Sequence, residues 1–476
     1  MKTSNSSQRD PFSGPQTDRR GRWPWALAAG CCVVILLALF FPQPNNPANA
    51  PAVGQAAGGP DQDERSARDD SFVRRRDRRF APKSEQTAQE IVAGKVVQFA
   101  RSRRQLARAM SERAGIRMPD DFERFFAAAE AGRYEEMGEI YRSLRKQREA
   151  SDTDTSWYGP AWRAIVETQG AADAAHDWPA QKLLDYGDAV LGSLRPGMVY
   201  VGGTDPGCFI PTLLNDTSEG ERHVVLTQNA LADSSYLDYL SFLYRDQLTT
   251  LTKADSERAF SEYVEDARKR WQHDQDFPNE PKQLRPGEDI QVDANDKTQA
   301  SGQIAVMAIN EKLFQMLMQN NPGMSFAIEE SFPFPSTYAQ AVPLGPIMEL
   351  GVQDAQNLLT AERAAQSLEY WRSAAQQLLS DPETPDGSDP RKAYSKMVSA
   401  QASLLLAGQH TTEADEAFRI ANEICPTSPE AVFRYANFLV EQRRLPDAVQ
   451  LVETAFNAAP DNRQFGDLLG QLRKMK

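Results

Sequence analysis

The chain has 476 residues, room for two or three domains, with 41% hydrophobic and 25% charged residues. Its net charge of −13 argues against nucleic acid as a main ligand, because phosphate binding needs a basic field. Four cysteines are too few for a disulfide scaffold, and four histidines without ligand spacing indicate neither a metal nor a cofactor.

Residues 1–22 form a basic tail with Lys2, Arg9, Arg19, Arg20 and Arg22. Trp23 to Phe41 then runs without a charge. As a helix it spans about 28 Å, close to the hydrocarbon thickness of a bilayer. Its Leu, Ile, Val and Phe side chains favour insertion by about 3–5 kcal/mol. After Phe41 no Lys or Arg appears until Arg65, so the positive-inside rule places the N-terminus in the cytoplasm and the body outside. The expectation is a single-pass signal-anchor in the cell (inner) membrane, with the lipid bilayer as partner of residues 23–41. The alternatives are a signal peptide cleaved after Ala48-Asn49-Ala50 and a lipoprotein signal ending at Cys31. Pro51 follows the first motif, and the second has its apolar run on the wrong side of the cysteine.

Residues 42–84 read as a linker. The first half is rich in Pro, Ala, Asn and Gly, and the second is mixed in charge around Arg74–Arg79. A helical region is expected over 85–195. Ile91, Val92, Phe99, Leu106 and Met110 recur at helical spacing. Pro119, Phe122, Phe125, Phe126 and Ala129 begin a hairpin, Ala131-Gly132 turns it, and Met137, Ile140, Tyr141 and Leu144 return. Ser151 to Ser156 reads as a loop.

Residues 196–352 change period. Met198–Val201, His223–Leu226, Phe326–Ile328 and Ile347–Leu350 are short apolar runs that read as strands. Between them Phe209–Leu214, Tyr236–Tyr244, Ser256–Trp271 and Ile304–Met318 read as helices. The alternation predicts a small, mainly parallel α/β layer, with little strand signal over Asp255–Gln303. Cys208 and Cys425 read as buried free thiols, a bridge between them being the alternative.

Residues 353–476 carry the clearest pattern. Shifting Ser395–Ser428 by 34 residues onto Pro429–Asn462 pairs Ala402 with Ala436, Leu405 with Leu439, and Ala414 with Ala448. It also pairs Phe418 with Val452, Ala421 with Ala455, and Pro426 with Pro460. Small residues let two helices approach, larger ones fill the seam, and the proline ends the second helix. In period and residue type the segment resembles the tetratricopeptide repeat, which implies an α-solenoid, either with a protein partner bound through the repeats or as a structural or self-association module. Arg463–Lys476 reads as a capping helix, and Ala355–Leu379 as a preceding one. So short an array is expected to pack on the α/β layer. The expected fold class is therefore an N-terminal transmembrane helix, helical hairpins, a small α/β layer and C-terminal α-solenoid repeats.

Candidate ligand-binding residues follow from the strand ends. The loop Gly202-Gly203-Thr204-Asp205-Pro206-Gly207 joins a strand to a helix N-terminus, where α/β proteins bind anions. Gly203, Thr204 and Asp205 are candidates there, with Asn229 and Glu329 at the next strand ends. A plain capped turn is the competing reading. No nucleophile–base set or metal constellation is present, so no catalytic residue is assigned.

Residues 197–246 carry a strand, Gly202-Gly203-Thr204-Asp205, an aromatic helix and a strand leading to Asn229-Ala230-Leu231. With Ser325–Leu350, they resemble the extracytoplasmic C-terminal part of bacterial multi-pass proteins related to protein O-mannosyltransferases. The resemblance implies an envelope or sugar-related setting. Transfer chemistry in that family belongs to its multi-pass half, so no transferase residue carries over. Three readings follow: a non-enzymatic interaction or assembly protein of the envelope, an accessory to envelope glycosylation binding a glycan or nucleotide-sugar-like ligand, and a hydrolase using Asp205 with Glu329 or Glu330.

Overall fold

The computed structural model describes residues 86–150, 159–285, 287–292, 298–351 and 358–475. The expected span 23–41, the linker over 42–84 and the loop at 151–156 lie outside them. Among the described residues no helix is long and apolar enough to cross a membrane.

Five helices come first: α1 (Ala88–Arg113), α2 (Asp120–Glu130), α3 (Tyr134–Ala150), α4 (Gly159–Asp177) and α5 (Ala180–Leu191). Thr87 starts α1 with a capping box, accepting from the Glu90 amide while the Glu90 carboxylate accepts from the Thr87 amide. The hairpin of α2 and α3 buries Phe122, Phe125, Phe126, Met137 and Leu144 against α1 and α4. It turns at Gly132, whose φ of +68° favours glycine.

The layer follows: β1 (Val199–Gly202), α6 (Asp205–Asp216), β2 (Val224–Thr227), α7 (Ser234–Tyr244) and α8 (Lys253–Asp276). Next come β3 (Asp289–Val292), β4 (Thr298–Ser301), α9 (Gln303–Asn320), β5 (Phe326–Glu329), β6 (Val342–Leu344) and β7 (Ile347–Leu350). The main sheet has the order β2-β1-β5-β7-β6. All four apolar runs read from sequence are strands in it. The parallel expectation needs correcting, because β1 runs parallel to β2 and β5 whereas β7 is antiparallel to β5 and β6. The cause is a hairpin: Gly345, at φ +57°, and Pro346 turn the chain straight back from β6 into β7. A separate antiparallel ribbon of β3 and β4 forms where little strand signal was expected.

Strand alternation sorts the core. Met198, Tyr200, Val225, Ala327 and Ile347 share one apolar cluster with α5 and α6. Val199, Val201, Val224, Leu226, Phe326 and Ile328 face the other way, against α7, α8 and α9.

The C-terminal helices are α10 (Ala361–Ser380), α11 (Asp389–Ala407), α12 (Thr411–Ile424), α13 (Pro429–Glu441), α14 (Leu445–Ala458) and α15 (Arg463–Lys474). Hairpins α11–α12 and α13–α14 are the two aligned repeats. Ala402, Ala414, Phe418, Ala421, Ala436, Ala448 and Ala455 are all buried at the seams. Pro426 and Pro460 each follow a helix end by two residues, at Ile424 and Ala458. The repeats are docked on the layer, as expected. Their apolar core is continuous with that of the sheet face bearing Tyr200. Gln401 of α11 donates its side-chain amide to the carbonyls of Gly345 and Ile347 at 2.7 and 2.9 Å. Cys208 and Cys425 are buried free thiols.

Candidate functional site

The strand-end loop is built by register and by close approach. Gly202 of β1 lies opposite Glu329 of β5, so the Glu329 side chain falls beside the turn into α6. Thr204 caps that helix, its hydroxyl accepting from the Gly207 amide at 3.1 Å. The helix N-terminus offers backbone donors for an anion. Here the anion is the chain's own carboxylate. Glu329 Oε2 accepts from the amides of Gly203 and Thr204 at 3.0 and 2.8 Å, and Oε1 accepts from the Thr204 hydroxyl at 2.9 Å. Burial pushes the Glu329 pKa up, against the pull of the Thr204 and Gly203 hydrogen bonds and the charge of Lys396.

The glycines serve this contact. A Cβ at Gly207 would lie 2.0 Å from Glu329 Oε2. One at Gly203 would lie 2.3 Å from the Ser331 nitrogen and 2.4 Å from Gln228 Oε1. Neither position needs a positive φ, so it is space rather than backbone freedom that requires glycine.

Of the candidates, Gly203, Thr204 and Glu329 are thus brought into direct contact. Asp205 follows them as the first residue of α6. The residue is exposed, yet protein crowds around its carboxylate. That burial raises its pKa, Lys396 opposes the rise and Asp173 adds to it. Lys396 pairs with Glu430 at 2.8 Å, and Asp173 accepts from the Tyr134 hydroxyl at 2.8 Å and the Gln169 amide at 2.7 Å. Asn229 is exposed on a short turn after β2. Its neighbour Gln228 turns inward instead, accepting from the Ser331 amide and donating to the Phe332 carbonyl, both at 2.8 Å.

Glu330 points into the repeats. Its carboxylate accepts from Arg434 of α13 at 3.0 Å and from the Tyr338 hydroxyl at 2.7 Å. The Glu330 side chain is fully buried and that of Arg434 is 11% exposed. Arg434 also donates to the Ser403 hydroxyl of α11 at 3.1 Å. Burial and the Glu330 charge push the Tyr338 hydroxyl well above the usual phenol range.

A second buried charge network escaped sequence reasoning. Arg103 of α1 donates to Glu167 of α4 at 2.7 Å and to Asp216 at the end of α6. Tyr239 of α7 donates to Glu167 at 2.6 Å, and Arg163 donates to it at 3.3 Å. Burial alone would raise the Glu167 pKa, but the charges of Arg103 and Arg163 outweigh it and hold the carboxylate below its usual range. Arg103 belongs to the run Arg101-Ser102-Arg103-Arg104, which gives no local sign that one of its arginines is buried.

The Cys208 thiol donates to the Gly202 carbonyl at 3.0 Å, and burial pushes its pKa far up, away from the reactive thiolate. Glu329 and Glu330 are 2% and 3% exposed, so neither faces an open substrate position beside Asp205. Among the described residues, no group of three or more His, Cys, Asp or Glu could hold a metal ion. Two shallow grooves run elsewhere, along α8, one with the mixed-charge lining Glu265, Arg268, Lys269 and His273 and the other against Phe260 and Thr298.

A family model described as a tetratricopeptide repeat matches residues 405–472, from the end of α11 into α15. No curated protein and no solved structure matches the chain.

Proposed function

We propose that this chain is a membrane-anchored, extracytoplasmic interaction protein of the bacterial envelope, acting in assembly through its C-terminal repeats. The observation that carries the reading is the repeat pair, found both as a family match and as two stacked hairpins. Repeats of this type commonly mediate protein–protein interaction. The anchoring and the compartment rest on the uncharged run Trp23–Phe41 and the basic tail before it.

The docking narrows where a partner can bind. Gln401 and Arg434 commit part of α11 and α13 to the layer, so the outer faces of α12, α14 and α15 are the partner surface of this reading. Arg419 on α12 and Arg473 on α15 are both more than half exposed. A chain carrying Arg419→Glu and Arg473→Glu should fold as the parent does and lose the partner that co-purifies with the parent after cross-linking in membranes. An unchanged partner set would sink the reading.

A second reading, a glycan or nucleotide-sugar-like ligand at Asp205, is favoured by the exposure of that residue at the N-terminus of α6. It also draws on the resemblance of residues 197–246 to the extracytoplasmic part of the O-mannosyltransferase-related proteins. The internal Glu329 carboxylate weighs against an anionic group there, because it already takes the loop amides. Calorimetry with neutral and nucleotide-linked sugars tests it. The reading expects heat with the parent and weaker binding by Asp205→Ala, and a flat titration of the parent would end it.

A further inference from the structure

Adjacent residues at the end of a strand point to opposite sides. Glu329 closes β5 and reaches the loop before α6, where three donors hold it. Glu330 reaches the other way, to Arg434 and Tyr338. Ser331, next in the chain, is pinned through its amide by Gln228. We propose that Glu329 and Glu330 form a two-way latch, which couples the repeats to the loop at residues 202–207.

The coupling follows from burial. The Glu330 side chain has no exposure, and Arg434 is its cationic partner on α13. Removing one member of a buried ion pair leaves a charge without compensation, which is strongly unfavourable. Glu330 is then driven to move toward another partner. One peptide unit separates it from Glu329, so movement of Glu330 shifts the carboxylate that holds Gly203 and Thr204. Those residues cannot follow by repacking, because the space at Gly203 is bounded by backbone atoms of Glu329 and Ser331. A partner that shifts α13 therefore alters the setting of Asp205, the exposed residue of the same turn. This regulatory sense rests on the interaction reading, whereas the coupling itself does not.

Amide hydrogen exchange of the full chain, followed by mass spectrometry, tests the latch. Arg434→Met should speed exchange in the peptide covering 202–207 about tenfold, a loss of about 1.4 kcal/mol in opening free energy. The α2–α3 hairpin should keep its parental rates. Arg473→Met, which breaks an outer repeat contact to Glu453, should leave the loop unchanged. Tyr338→Phe removes one hydrogen bond to Glu330 without stranding a charge, and should speed the same peptide by a smaller factor. It carries the test if Arg434→Met does not fold. Parental exchange at 202–207 in both variants overturns the latch, as does an equal rise in every region. Loss of the partner in Arg419→Glu/Arg473→Glu bears on the interaction reading alone.

Discussion

The repeats bury neutral polar groups such as Ser395 and Gln401, whereas among the described residues the buried charges lie outside them. The seams of the repeats are lined by alanines, with Ala402, Ala414, Ala421 and Ala436 at 0% exposure beside the buried ring of Phe418. In and around the layer the buried residues include Arg103, Glu167, Gln228, Glu329 and Glu330. Apolar packing tolerates substitution so long as volume and pattern are kept. Buried polar groups do not, since each needs a specific partner. The contrast teaches that the repeats supply a generic scaffold, while the geometry peculiar to this chain is set by the charges under the strand ends.

Four outcomes break or sharpen that contrast. The largest effects come from each region's own currency. Glu167→Ala leaves the buried Arg103 with Asp216 alone, takes a carboxylate from Arg163 and Tyr239, and should cost about 3–5 kcal/mol. Phe418→Ala leaves a cavity between repeats and should cost a similar amount, about 3–5 kcal/mol. Replacing each residue by one that restores only its volume separates them in denaturant melts. Phe418→Leu should recover most of the loss, whereas Glu167→Leu should recover little. Equal recovery would erase the distinction.

Next is Gly207→Ala, whose added methyl must push the Glu329 carboxylate aside. A destabilisation of about 1–3 kcal/mol is expected, and full parental stability in the same melts would mean that the loop is not held as described.

Smaller effects appear in the pH dependence. Burial raises the Glu329 pKa above its unfolded value, so the folded state holds that proton more tightly. Its contribution is most favourable below the unfolded carboxylate pKa and is lost as pH rises through the folded one. Glu167 runs the opposite way. Its folded pKa is lowered, so its contribution is full above the unfolded value and is lost as pH falls through the folded one. Melts from acid to neutral pH should show Glu329→Gln removing part of a decline with rising pH, and Glu167→Gln removing part of a rise. Identical profiles would contradict both assignments.

The smallest effect is expected at the surface. Arg372→Ala breaks exposed contacts to Glu416 and Glu369 and should leave the melting midpoint where it was.

How much the sequence reveals follows the same division. The repeats are legible because a 34-residue shift superimposes alanines, and alanine at those positions has one physical use. Four strands are legible because their apolar runs are buried on both faces. The ribbon of β3 and β4 is not, because Asp289, Gln291, Gln299 and Ser301 alternate with few apolar residues on a half-exposed surface. At the strand ends the general rule about helix N-termini reaches Thr204 and Glu329. It reaches Asn229 where Gln228 turns in, because one residue along the chain reverses the direction of a side chain. The pairing of Glu330 with Arg434 spans 104 residues and leaves no local trace in either segment.

One measurement tests most directly whether the repeats and the layer form one cooperative unit. Each region holds one buried free thiol, Cys208 in the layer and Cys425 in the repeats. Pulse alkylation across a guanidinium series, with the labelled peptides resolved by mass spectrometry, reads the opening of each separately. Fused cores and the Glu330–Arg434 pair predict that both thiols become reactive at one denaturant midpoint. Labelling of Cys425 at a clearly lower midpoint, with Cys208 still protected, would show repeats that unfold alone and would contradict the account.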